Sequence, residues 1–176
     1  MGDPWSRERK TGERVDILVV HNLGSGQGDA GLFDYIRELS AAGAEVTLRS
    51  MGGGEGGGAA PLERALRGAE GFDRVVAAGG DGTVSSVAYR LRGTGIPVFP
   101  YPAGTANLAA LNLRIPADPA RCAEITLGGE ILTVDLGEIC YAASSGEVPD
   151  PPQGGCGPDL PLSTGFVNGA GAGLDA

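Results

Sequence analysis

Residues 75–87 read Val-Val-Ala-Ala-Gly-Gly-Asp-Gly-Thr-Val-Ser-Ser-Val. The stretch Asp73 to Ala77 is short and β-branched, which predicts a buried strand. It runs into Gly79-Gly80-Asp81-Gly82-Thr83, and a helical pattern follows to Leu91. A glycine turn between a buried strand and a helix is the unit from which parallel sheets are built. The same unit recurs on both sides. Val15 to Val20 predicts a strand, followed by Asn22-Leu23-Gly24-Ser25-Gly26 and a helix over 30–42, with Leu32, Phe33, Ile36 and Leu39 as its apolar face. Ile96 to Phe99 predicts another, followed by Gly104-Thr105-Ala106-Asn107 and a helix over 105–113. Ala44 to Leu48 adds a strand, and helices are expected from Pro61 and over 119–127. The expected fold is α/β: a doubly wound parallel sheet with helices on both faces.

Outside this rhythm the chain changes character. Residues 1–14 are polar and read as a flexible tail, and Trp5 beside Arg7, Arg9 and Lys10 does not alter that reading. After Gly128, Ile131 to Cys140 predicts a strand with no helix behind it. Residues 142–161 are rich in Pro, Gly and Ser, and a last strand is expected over 164–168. The expected division is a tail (1–14), an α/β domain (15–128) and the first strands and loop of an incomplete, β-rich second domain (129–176).

Composition removes whole classes of function. The chain has 176 residues, 32 of them Gly, and a net charge of −9, which argues against a nucleic-acid partner. Lys10 is its one lysine, so a P-loop or Schiff-base mechanism has no lysine to use. His21 is its one histidine, and it sits at a strand end. Cys122, Cys140 and Cys156 are too far apart for a zinc cluster and read as reduced thiols. No apolar run approaches the ~20 residues of a membrane span. With no signal peptide, the expected location is cytoplasmic.

Three glycine turns at matching positions of one sheet converge on one edge. There glycine lets a ligand approach the backbone, and helix N-termini offer N–H groups to an anion. That predicts a phosphate pocket. Gly26-Gln27-Gly28-Asp29-Ala30-Gly31 has the spacing of a dinucleotide fingerprint. It starts too far beyond the strand, and no acidic residue ends the second strand, so it is set aside. Asp81, the carboxylate inside a glycine turn, has two readings: phosphate or proton chemistry, or a cap for the helix that follows it.

The run 75–87 resembles the Gly-Gly-Asp-Gly-Thr signature of the diacylglycerol kinase catalytic-domain family, to which bacterial lipid kinases and sphingosine kinases belong. Residues 100–113 are similar to that family's Pro-x-Gly-Thr-x-Asn motif, and 21–26 to its Asn-Pro-x-Ser-Gly. Val134-Asp135-Leu136-Gly137, with 165–169 and 173–176, resembles the strand pair opening its second domain. The resemblance implies an ATP-dependent lipid kinase using Mg²⁺, with a lipid substrate at a membrane surface, and it leaves room for a homodimer. It implies nucleotide contacts at Asn22, Ser25, Gly26, Ser50, Gly79, Gly80, Gly82, Thr83, Gly104, Thr105 and Asn107, and a catalytic role for Asp81. The chain departs from the pattern at Leu23 (Pro in the family), at Ser85-Ser86 (Asn-Glu) and at Leu108 (polar). The family's further catalytic carboxylate and metal ligands belong to the second domain and have no counterpart here. Readings that stay open are an NAD-kinase-like enzyme and a non-catalytic nucleotide-binding module.

Overall fold

The computed structural model describes residues 14–23, 30–52, 59–141 and 162–166. Strand β1 (Asp16–Asn22) is followed by α1 (Ala30–Ala41), β2 (Glu45–Met51), α2 (Ala59–Ala65) and a 3₁₀ turn at Ala69–Gly71. Next come β3 (Arg74–Gly79), α3 (Asp81–Leu91), β4 (Val98–Pro102), α4 (Leu108–Asn112) and α5 (Pro119–Gly128). Strands β5 (Gly137–Tyr141) and β6 (Leu162–Phe166) pair antiparallel as a separate ribbon.

The first four strands form one parallel sheet in the order β2-β1-β3-β4. Its two faces are read directly from the alternation in β1. Ile17 and Val19 pack with Leu32, Tyr35 and Leu39 of α1 and Cys122 and Ala123 of α5. Leu18 and Val20 point the other way, onto Leu62 and Ala65 of α2 and Val84, Val87 and Leu91 of α3. Ile17, Leu18, Val19 and Val20 are all fully buried, as a strand covered on both faces requires. The doubly wound sheet with helices on both faces is therefore present as expected.

Several elements differ from the sequence expectation. In α1 the inward aromatic is Tyr35, while Phe33 is exposed. At 100° per residue, 32, 35, 36 and 39 share a stripe that 33 leaves. Tyr35 keeps its hydroxyl satisfied deep in the core. Thr126 Oγ1 donates to the Cys122 carbonyl at 2.8 Å, so the Tyr35 hydroxyl donates to Thr126 Oγ1 at 2.7 Å. Burial pushes the Cys122 thiol up to about 11, with Asp118 adding to the rise; Cys122 is a neutral packing residue. Strands β2, β3 and β4 run further than predicted, because pairing carries each to the same edge: His21 is level with Ser50 and Ala78, and Gly79 with Pro102. The predicted strand over 131–140 begins only at Gly137; 131–136 form no regular element, and 131–135 are exposed. The last strand lies at Leu162–Phe166, two residues earlier than expected. Of the predicted tail over 1–14, residues 1–13 lie outside the described residues, as does the loop over 142–161, while Arg14 pairs with Glu45.

Candidate active site

In the order β2-β1-β3-β4, the connection after β1 leaves to one side and the connection after β3 to the other. The crevice at the carboxyl ends of β1 and β3 is the topological switch point, where open α/β sheets bind their ligands. Asn22 ends β1 and Gly79 ends β3. Asn22 Nδ2 donates to Thr83 Oγ1 at 3.0 Å, tying the end of β1 to the first turn of α3.

The second glycine turn is tighter than its sequence suggests. Gly79 is the last residue of β3, Gly80 is the N-cap of α3, and Asp81, Gly82 and Thr83 already form the first helical turn. Thr83 is buried, and its side chain packs over Gly79, where an added Cβ would stand 2.5 Å from Thr83 Oγ1. Gly79 is thus required by packing. Gly82 is different: it is exposed, has no positive φ, and an added Cβ would meet nothing within 4 Å. Nothing among the described residues requires glycine at this helix N-terminus, although a helical glycine costs about 0.5–1 kcal/mol relative to alanine.

The third turn is built around the second. Gly104 lies so close to Gly80 that a Cβ on Gly104 would come within 2.4 Å of the Gly80 Cα and 2.9 Å of its nitrogen. Asn107 holds the turn shut: the Gly104 N–H donates to Asn107 Oδ1 at 2.8 Å, and Asn107 Nδ2 donates back to the Gly104 carbonyl at 2.7 Å. Asn107 itself has φ 51°, a left-handed conformation that Asn tolerates better than most residues, and this stops the helix predicted over 105–113 from starting before Leu108. The role of Asn107 in this structure is to brace the backbone.

Asp81 does not cap its own helix, as one reading of the sequence expected. Its Oδ1 accepts the backbone N–H of Ala109 at 3.0 Å, in the first turn of α4. The carboxylate therefore caps the neighbouring helix and locks the second turn to the third. This changes the expectation for the third turn, since one helical N–H there already has the protein's own carboxylate as its partner. Among the described turns, the first turn of the 11-residue α3 carries the phosphate-binding expectation.

The remaining predicted residues divide. Gly80, Asp81, Thr83, Gly104 and Asn107 are joined with Asn22 through the contacts above, and Thr105 is exposed on the third turn. Ser50 is exposed at the carboxyl edge, but it shares its register and sheet face with His21, the face opposite to Asn22. Buried His21 sits between Ser50 and Ala78. Ser25 and Gly26 lie outside the described residues. The link from Asp81 to Ala109 was not anticipated. Pairing of two glycine turns across 28 residues of sequence leaves no local signal that names the acceptor.

No group of three or more His, Cys, Asp or Glu among the described residues is arranged to hold a metal. Mg²⁺ bound with a nucleotide needs less, since one or two protein carboxylates and the phosphates themselves complete its shell. Asp81, beside the α3 N-terminus, supplies that minimum. No helix among the described residues is long and apolar enough to cross a membrane.

Comparison with known proteins converges on one family. The profile of the diacylglycerol kinase catalytic domain matches residues 16–139. A diacylglycerol kinase of Mycobacterium tuberculosis (strain ATCC 25618 / H37Rv) is 43% identical over 72 residues, 40% of this chain and 23% of that protein. An uncharacterized protein of Synechocystis sp. (strain ATCC 27184 / PCC 6803 / Kazusa) is 48% identical over 60 residues, 34% of this chain and 14% of its relative. The matched stretch thus spans about a quarter or less of these relatives. The matched profile runs from the first core strand into β5 and takes in both interlocked glycine turns, and the chain accordingly belongs to the diacylglycerol kinase catalytic domain family.

Proposed function

We propose that this chain carries the nucleotide-binding half of an ATP-dependent lipid kinase, in which Mg-ATP donates its γ-phosphoryl group to a lipid hydroxyl. The observation that carries the reading is Gly82, an exposed glycine in the first turn of α3 to which the described residues give no steric or backbone reason to be glycine. A ligand lying against that turn supplies the reason. Backbone N–H groups at the start of α3 face the phosphates, aided by the helix dipole. The Asn22–Thr83 bond and the Gly80–Gly104 contact hold the surrounding backbone rigid, which is what phosphoryl transfer asks of a protein that mainly positions its reactants. Asp81, fixed by the Ala109 N–H, orients the phosphates; bound Mg²⁺ neutralises their charge. Thr105 contributes its hydroxyl from the exposed third turn, and Ser25 and Gly26 complete the nucleotide side, whereas Ser50 lies on the other face of the sheet.

Two expected results test this. Gly82→Ala should leave the fold intact and raise stability by about 0.5–1 kcal/mol, from the gain in helix propensity. The same change should weaken Mg-ATP binding measured by titration calorimetry. A more stable variant with unchanged Mg-ATP affinity would show that no ligand approaches Gly82. The second result concerns turnover: the chain should bind Mg-ATP weakly and phosphorylate lipid in vesicles slowly or not at all, because Asp81 is the one carboxylate of the two interlocked turns (79–83 and 104–107). Robust lipid phosphorylation by these 176 residues would contradict this division of labour.

A further inference from the structure

We infer that the outer edge of β2 is a self-complementary dimer surface, on which β2 of a second copy adds antiparallel and joins the two sheets into one. The inference goes beyond the nucleotide-site reading and does not depend on it. In the order β2-β1-β3-β4, β2 and β4 are the edge strands, and no strand among the described residues pairs with the outer side of either. The two edges are built differently. At β4 the Pro97 carbonyl accepts from Val75 N, so Val98, Pro100 and Pro102 present their backbone outward, and the two prolines have no N–H to give a further strand. Strand β2 reads Glu-Val-Thr-Leu-Arg-Ser-Met, with no proline. Glu45 N donates to the Val15 carbonyl, and the Met51 carbonyl accepts from Leu23 N, so Glu45, Thr47, Arg49 and Met51 turn their backbone toward β1. Val46, Leu48 and Ser50 turn theirs outward, and their N–H and C=O groups form a template for another strand.

Charge and shape along this edge select a second copy of the chain as the occupant. Glu45 and Arg49 flank Thr47 on one face of β2, and Val46 and Leu48 lie on the other. A twofold axis through Thr47 sets Glu45 opposite the partner's Arg49, Val46 opposite the partner's Leu48, and Thr47 opposite the partner's Thr47. Val46 and the partner's Leu48 both face outward, so they exchange a full pair of backbone hydrogen bonds. Opposite charges, paired aliphatics and paired threonines are favourable cross-strand combinations. Leu48, 40% exposed in the single chain, gains an apolar neighbour. An axis through Leu48 instead would set Glu45 opposite the partner's Met51 and Thr47 opposite the partner's Arg49, leaving the charges unmatched. Arg49 Nη1 already donates to the Ala65 and Arg67 carbonyls, but a guanidinium carries five N–H donors. The ion pair of Glu45 with Arg14 is exposed and of little weight. Antiparallel addition turns the two carboxyl edges away from each other, so the crevice of each copy stays open.

Sedimentation of the 176-residue chain tests this. A concentration-dependent dimer is expected, and a monomer at every concentration overturns the inference. Glu45→Arg sets like charges against each other at two symmetric places. It should weaken the dimer about tenfold or more with the far-ultraviolet circular dichroism unchanged, because the Glu45 side chain is exposed in the single chain. A dimer of parental strength in that variant overturns the pairing. Thr47→Cys reads the register directly. Residues opposite each other in a non-hydrogen-bonded pair stand about 4.5 Å apart at Cα, within the range a disulfide spans. On oxidation Thr47→Cys should therefore cross-link into a covalent dimer well beyond the parent, whose own cysteines supply the background. Leu48→Cys, displaced from the axis, should cross-link far less. Equal cross-linking of the two variants, or none above the parent at Thr47→Cys, overturns the assignment.

Discussion

Asp81→Asn is expected to lower phosphoryl transfer by ~10²-fold or more, the scale at which a positioned acidic group contributes, while the fold persists. The amide oxygen can still accept the Ala109 N–H, so the link between α3 and α4 survives in weakened, neutral form. The cost in stability should be about 1 kcal/mol or less, the difference between a charge-assisted and a neutral hydrogen bond. Asp81→Ala is the informative companion. It leaves a backbone N–H in the first turn of α4 without its acceptor and should cost about 1–3 kcal/mol in addition to activity. Thermal unfolding and initial rates of phosphate transfer to dioctanoylglycerol, measured in an active enzyme that contains this domain, separate the two roles. An Asn variant with near-normal rates would make Asp81 a brace between two turns and nothing more.

Gly104→Ala should be the most damaging single methyl group in the site. Its Cβ would come within 2.4 Å of the Gly80 Cα, and backbone cannot rotate away as a side chain can. The two turns must separate, which strains the Asn107 bonds and the Asp81–Ala109 bond together. Overpacking of this kind costs about 1–3 kcal/mol, and Mg-ATP binding should fall with it as the first turn of α3 shifts. The reverse substitution provides the control. A Cβ on Gly80 would stand 3.8 Å from the Gly104 Cα, an ordinary contact, and its φ of −77° suits alanine. Gly80→Ala should therefore unfold within a few degrees of the parent, and Gly104→Ala well below it. Equal melting temperatures for the two variants would refute the interlocked-turn geometry.

The parts of this site that repeat locally could be read from the chain. A strand, a glycine turn and a helix follow one another within about a dozen residues, so Val75 to Val87 announces both the sheet and the edge on which its glycine turns lie. The burial of β1 on both faces follows from Ile17-Leu18-Val19-Val20, which has no polar position to expose. Relations between turns were not legible. Asp81 looks like an N-cap because Asp is a good one, and only the close packing of Gly104 on Gly80 brings the α4 N–H within its reach. Asn107 looks like a ligand residue because it stands in a family motif, whereas its side chain is engaged by Gly104. The alternation of β2 places Ser50 on the face away from Asn22, a consequence of register that a glycine-rich loop before Pro61 obscures in the sequence. The stretch from Ile131 to Leu136 has the composition of a strand but pairs with no strand among the described residues. Prolines 100 and 102 have no N–H to offer along the neighbouring edge of β4, and Ile131, Leu132, Val134 and Leu136 line a cavity of about 560 Å³ beside it instead.

The crevice between β1 and β3 should bind the phosphates of a nucleotide at the first turn of α3. A crystal structure of the chain with Mg²⁺ and a non-hydrolysable ATP analogue tests it most directly. The triphosphate should lie against the backbone of Gly80, Asp81 and Gly82, with the metal within coordinating distance of Asp81. A triphosphate bound at the opposite edge of the sheet, or along α4 away from Gly82, would contradict it.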